Sequence, residues 1–577
     1  MKAIEEFTPQ SEFVPAGLRA GEWASLEPLY AELLRRDAGS PTALERLILD
    51  RSDLDAAAAE AASELYIRMT CHTDDPVHTQ AYLDHVQAVQ PPLKEAGFEL
   101  DKKIAGNPHI AGLDPDRYFI YLRNMRSGID LFRPENVQIE VELATLAQEY
   151  AQICGAMSVE FMGQEHTLPQ MNVYQEDPDR AVRERAWRAV AERRFQDRER
   201  LSAIFDTMVR LRHRIALNAG FENFRDYSFR AKRRFEYTPA DCAGFAAGVE
   251  ATVVASRRRL QERRSAALGI TSLRPWDVDA DILRRPPLKP FATAGELIER
   301  TSRVFHRMEP MLGRMFDSLR SGGCLDLESR KGKAPGGYQA NRDWSRQPFI
   351  FMNATGVQAD VETLLHEAGH AFHAILSRLD PILSYRSEIP HEFSEVASMS
   401  MELTAHPFMD EFYPSGAGSR GDSDRSRRVH LESLNQLFPI IASVDQFQHW
   451  VYANPDHSRA QRAAAWTAIH NRYAGHLDWS GMEEMLGVSW HRVLHVFEVP
   501  FYFIEYGIAQ LGALQFWRNY RRDPTEAIAR YIGALELGGS RTIAQLYASA
   551  GLTFDMGPGM IARLWRDVDE ELGKLAE

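Results

Sequence analysis

The sequence predicts a mainly α-helical protein of two lobes with one small β-sheet. Three observations carry that expectation. Apolar residues recur at three- and four-residue intervals along most of the chain, and β-type runs gather in one short region. At 577 residues the chain also exceeds what one compact core usually organises. The lobes are drawn at residues 1–175, a helical amino-terminal unit, and 176–577, which holds the residues of chemical interest.

Taken in order, "PTALERLILD", "DLDAAAAEAASELYIRM" and "QIEVELATLAQEYAQICGAM" read as amphipathic helices. From Asp179 to Ala219 the chain reads as one or two long helices. Arginines crowd this stretch, yet acidic residues stand at helical pairing distances, and Trp187, Val190, Phe195, Ile204 and Phe205 supply a side to bury. A solvated helix face is expected there, not a nucleic-acid arm. The strand runs are "GGYQANR" and "QPFIFMNAT", and an extended peptide would add to such a sheet by main-chain pairing near Phe349 to Asn353. "VETLLHEAGHAFHAIL" follows as an apolar helix. "SEIPHEFSEVASMSMELTAH" reads as a second, with Ser387 able to cap it and Pro390 suited to its first turn. Tyr413 to Arg428, "YPSGAGSRGDSDRSRR", reads as a surface linker. Gly416, Gly418 and Gly421 have the spacing of a dinucleotide fingerprint, but that motif needs a strand before it and an apolar helix start after it. The Arg420-Gly421-Asp422 triplet lies in the same loop and carries as little weight.

Composition excludes several functions. A formal charge of −14 disfavours nucleic acid and anionic membrane surfaces as partners. No apolar run is long enough to span a bilayer, and the first residues lack the basic start and apolar stretch of a signal peptide. Cys71, Cys154, Cys242 and Cys324 are too scattered for a disulfide framework. A cytoplasmic protein is expected, with no signal for an oligomeric state.

The chemistry concentrates in "TLLHEAGHAF". Four helical residues span about 400°, so His366 and His370 project from nearly one face and can share one metal ion. Zinc suits two imidazoles. Glu367 points about 100° away, beside the metal and not on it, where it can accept a proton from an attacking water. Ala368 and Gly369 are small and let another segment approach closely. A catalytic zinc site needs a third protein ligand. Glu392, Glu395 and Glu402 in the following helix all fall near one face, and spacing alone does not choose among them. His373 suits a supporting or structural role.

"HEAGHAFH" followed by "FSEVASMSMEL" resembles the thimet oligopeptidase and oligoendopeptidase F family of zinc metallopeptidases. "VDQFQHWVYANPDHS" and "ALELGGSRTIAQLYASAGLTF" are also similar to its smaller bacterial branch. The likeness runs from about residue 200 to the carboxyl end and is weaker in roughly the first 170 residues. The resemblance implies a two-lobed helical zincin with a deep substrate channel, one zinc ion per chain, and Glu395 as third ligand beside His366 and His370. Glu402 would then orient a ligand histidine. It further implies oligopeptide substrates cut at internal bonds, with His495 and Tyr502, then Tyr506, donating to the oxyanion in "HVFEVPFYFIEYGIAQLGA". Some relatives carry one more tyrosine where this chain has Ala509. Two other readings remain: a non-catalytic zinc-containing peptide-binding protein, and a zinc carboxypeptidase.

Overall fold

The structure is a computed structural model describing residues 9–330, 332–334, 336–414 and 420–575. As expected, it is mainly α-helical, but it has two small sheets where one was expected, the additional one being a hairpin upstream of the region with strand-type runs. The arginine-rich stretch forms two helices, Arg180–Gln196 and Arg198–Asn218. Their acidic residues meet the arginines in ion pairs such as Arg188–Glu184 and Arg193–Asp197. No helix among the described residues is long and apolar enough to cross a membrane.

Strands β1 (Ser158–Phe161) and β2 (Gln164–Thr167) form an antiparallel hairpin. A second sheet has the order β3-β5-β4, from Leu325–Glu328, Phe349–Ala354 and Tyr338–Ala340. β5 pairs in parallel with β3 and antiparallel with β4. Phe349 to Met352 are all buried, the continuous apolar run that a central strand requires. This corrects the strand-addition expectation. Phe349 to Asn353 lie on the central strand, which pairs with β3 on one side and β4 on the other, so the free edges of the sheet belong to β3 and β4.

One apolar core joins the helices and this sheet across residues 150–575, with Ile67 and Cys71 packed into it. A smaller core gathers residues 14–125 together with Ile382 and Tyr385. Arg117 and Asp380 tie the second group to the chain beyond the catalytic-type motif through two 2.6 Å bonds.

Four helices position the site. The histidine helix, Gln358–Ser377, leaves β5 through a turn at Gly356, whose φ is +96°. Asp360 Oδ2 accepts the backbone N–H groups of Thr355, Gly356 and Val357 at 2.8, 2.8 and 3.0 Å, which fixes the helix start against the strand. The glutamate helix runs from His391 to Thr404. Its preceding residue is Pro390, and Ser387 instead ends a short helix, Leu383–Ser387, where its hydroxyl binds Leu383 O. Ser387 therefore does not cap the glutamate helix. The long helix spans Arg420–Ala453 and the tyrosine helix Phe503–Arg522.

The linker expectation fails over Arg420 to Arg428, which form the first turns of the long helix. The charges over residues 422–428 are not a solvated tail: Arg428 pairs with Glu432 one turn on, and Arg427 with Glu571 of the carboxy-terminal helix. Gly416 and Gly418 lie outside the described residues.

Candidate metal centre and its surroundings

The histidine and glutamate helices touch through Gly369. A Cβ there would lie 2.6 Å from Ala397 O and from Ser398 Cα. On its other flank the glutamate helix meets the tyrosine helix, where a Cβ on Gly512 would fall 2.6 Å from Val396 Cγ2. Missing side chains on both neighbours thus let the glutamate helix sit between them. Tyr531 and Tyr547 hold its backbone by donating to Ala397 O and Glu392 O.

This contact brings together His366, His370 and Glu395, whose ligand atoms lie within 4.8 Å of one another. Glu395 Oε2 is 3.3 Å from His366 Nε2 and 3.5 Å from His370 Nε2. Helical spacing left three glutamates open, and geometry separates them. Glu392 turns toward Tyr237, whose hydroxyl donates to it at 2.6 Å. Glu402, about two turns beyond Glu395, meets the other nitrogen of His366: Nδ1–H donates to Oε1 at 2.6 Å.

The donor set fits a divalent cation of the zinc class: two imidazole Nε2 atoms and one carboxylate. Its electrostatics agree. Burial opposes charge on His366, yet Glu395 and Glu402 hold its pKa well above the ordinary value. Burial likewise opposes charge on Glu395, yet His370 and His366 hold that carboxyl well below its usual range. The carboxylates thus favour positive charge at the imidazole pair. Glu367 is buried beside it, and its carboxyl is shifted upward, by desolvation first, with His366 and His370 opposing.

His373 is buried with both ring nitrogens unpartnered and its ring edge-on to Phe393. Burial and His370 push its pKa down to about 3, so it packs as a neutral ring.

The structure also assembles His495, Tyr502 and Tyr506. Ring centroids are 5.6 Å apart for His495–Tyr502, 5.9 Å for His495–Tyr506 and 5.0 Å for the two tyrosines. The two phenols influence each other, and both feel the Glu395 charge. Burial raises both: Tyr506 to about 12, Tyr502 higher still. Burial and Lys232 lower His495. The turn ahead of these tyrosines is unusual. Phe501 has φ +64°, a left-handed conformation that costs a bulky residue about 1–3 kcal/mol. Its N–H donates to Gln448 Oε1 at 2.7 Å, and its carbonyl accepts from Arg234.

Several contributors escaped sequence reasoning. Ser394 Oγ is 3.3 Å from His370 Nδ1, and Ser398 donates to Glu395 Oε2 at 2.9 Å. Ser398 stands three residues after Glu395, a helical spacing that would have found it. His430, on the long helix, lies 3.2 Å from Glu402 Oε2, and its Nδ1 is 2.8 Å from His406 Nε2. Lys232 Nζ lies 5.2 Å from the Tyr502 ring centroid and 3.4 Å from Glu505. No local pattern links either of these to the motif.

Fold and site together have the form of a helical metallopeptidase of the His-Glu-x-x-His class. Residues 173–562 match Peptidase family M3, and the chain belongs to that family. Oligopeptidase PepF of Bacillus subtilis is 23% identical over 265 residues, covering 44% of this chain and 37% of that protein. The chain thus matches well under half the length of this curated relative. Among solved structures, Pz peptidase A with an inhibitor superposes with a TM-score of 0.88 at 28% identity, covering 98% of this chain and 99% of that one. A Bacillus anthracis protein described as an oligoendopeptidase F gives 0.84 at 25% identity, covering 99% of both chains.

Proposed function

We propose that the protein is a zinc-dependent endopeptidase that cuts internal bonds of short peptides. The observation that carries this reading is the meeting of His366, His370 and Glu395 with Glu367 one residue from the first ligand. His366, His370 and Glu395 would hold the metal. Zinc, when bound, supplies Lewis acidity that polarises the scissile carbonyl and eases ionisation of water. Glu367 takes the proton of the attacking water on its carboxylate and passes it to the departing nitrogen. Desolvation shifts its carboxyl upward, the direction that suits a group that must both accept and return a proton.

His495, Tyr502 and Tyr506 donate to the carbonyl oxygen as negative charge builds there. Burial raises Tyr502 further than Tyr506, so the Tyr506 hydroxyl is the more acidic of the two, and Tyr506 is the principal donor. Glu402 holds His366 in the tautomer that leaves Nε2 free, and His430 holds Glu402.

The peptide pairs along β4, since backbone groups common to all peptides give affinity without strict side-chain choice. Residues 1–175 form a lobe facing the rest across a deep channel that admits oligopeptides and excludes folded proteins. Four unpaired cysteines suit a reducing, cytoplasmic setting.

The test is digestion of an unstructured peptide with and without chelator, read by mass spectrometry, alongside Glu367→Gln. Internal cleavage that stops with chelator is expected, and Glu367→Gln should keep its metal while losing turnover. A metal-loaded Glu367→Gln protein with near-normal turnover refutes the assigned base. Stepwise loss of single terminal residues would indicate a carboxypeptidase, and intact peptide with stoichiometric zinc a binding protein.

A further inference from the structure

A second group of ligand-type side chains stands apart from the first. Cys242, Asp445 and His449 bring a sulfur, a carboxylate oxygen and an imidazole nitrogen within 4.8 Å of one another. Asp445 and His449 lie one turn apart on the long helix, and Cys242 comes from the neighbouring helix Pro239–Gly248. Cys242 and Asp445 have no exposed surface. Asp445 Oδ2 is 3.3 Å from His449 Nε2 and accepts a long 3.4 Å bond from Gln446. Its Oδ1 is buried without a hydrogen-bond partner, and His449 Nε2 meets no acceptor in good geometry. Phe229 and Phe501 pack against the His449 ring with centroids 6.0 and 5.3 Å away.

Two familiar readings fit poorly. A Cys-His-Asp nucleophile needs a thiol that substrate can reach, and this one is sealed. An Asp445–His449 ion pair alone leaves Oδ1 unsatisfied in an apolar setting, a costly state for a carboxylate. We propose that Cys242, Asp445 and His449 bind a second divalent cation of the zinc class, separate from the candidate catalytic one. A thiolate, a carboxylate and a neutral imidazole balance a double positive charge, which suits a buried site. Sulfur excludes calcium and magnesium, which take oxygen ligands. Binding forms a metal–sulfur bond and releases the thiol proton to solvent, with no change of oxidation state. Tetrahedral ligands sit about 3.4–3.8 Å apart, so side-chain rotation draws the three together by roughly 1 Å. A water entering from the His449 side completes the four positions. The cation staples two helices directly beneath Phe501, and so steadies the turn that carries Tyr502.

The experiment is metal analysis and cobalt(II) substitution on the full-length protein. Expected are two metal equivalents in the wild type and a thiolate-to-cobalt charge-transfer band. The double variant His366→Ala/His370→Ala should keep one equivalent and the band, whereas Cys242→Ser should lose both the second equivalent and the band. A cobalt-reconstituted wild type with one equivalent and no thiolate band overturns the proposal, whatever the folding of the variants. Peptide cleavage is not the readout, so this outcome is independent of the catalytic reading.

Discussion

Gly369→Ala adds one methyl group where the histidine and glutamate helices touch. Its Cβ would stand 2.6 Å from two backbone atoms of the facing helix, and ordinary contact begins near 3.4 Å. Backbone cannot swing aside as a side chain would, so the helices must separate by roughly 0.8 Å. Overpacking of this kind costs about 1–3 kcal/mol, while alanine in place of glycine returns about 1 kcal/mol of helix propensity. Net destabilisation of up to about 2 kcal/mol is expected. The larger effect falls on the metal. Glu395 lies within a turn of Ala397 and Ser398, and because zinc–ligand distances hold to about 0.2 Å, a displaced backbone must be compensated by strain in that side chain. Zinc affinity should drop at least about tenfold, the scale seen when ligand support is lost. Gly533→Ala, in a helix where a Cβ meets nothing within 4 Å, is the control and should be neutral or slightly stabilising. Chemical denaturation of the apo forms and zinc competition with a chelating dye provide both numbers. A Gly369→Ala protein that binds zinc like wild type and is as stable as the control would refute the close-contact reasoning.

Other expectations follow from the same geometry. Glu402→Gln and His430→Ala should each weaken zinc by about 10–100-fold in competition titrations, and unchanged affinity would show that neither supports His366. Tyr506→Phe should cut kcat by about a hundredfold or more with little change in KM, and by more than Tyr502→Phe does; the opposite ranking in steady-state kinetics would make Tyr502 the principal donor. Burial pushes the Asp343 carboxyl up to about 6, with Arg386 opposing and Glu60 adding to the rise. A folded-state pKa above the unfolded value favours the folded state most at low pH, and that contribution is lost as pH rises through about 6. Asp343→Asn should therefore lose less stability than wild type between about pH 4 and 7 when melting is followed at each, and parallel profiles would contradict the shift.

How much could be read beforehand depended on distance along the chain. His366, Glu367 and His370 occupy little more than one helical turn, so residue spacing alone defines their geometry. Glu392, Glu395 and Glu402 share a face, and only the path of a second helix decides which one reaches the histidines. Gly369 sets that path, and its smallness was visible in the sequence while its partner was not. The start of the long helix was misread because "RGDSDRSRR" has almost no apolar residues; its arginines find carboxylates such as Glu571, far away in sequence. β5 was recognised by composition, but its two partners depend on long-range pairing. β3, "LDLE", alternates strictly, but four residues are too short a run to stand out.

The long helix bears on both halves of the proposed chemistry. His430 near its start props the carboxylate behind the first histidine, and Gln448 near its end fastens the awkward bend ahead of the tyrosines. Anything that slides or tilts this one rod should therefore disturb cation grip and proton donation in step. Tuning one without the other would have to come from substitutions off the rod.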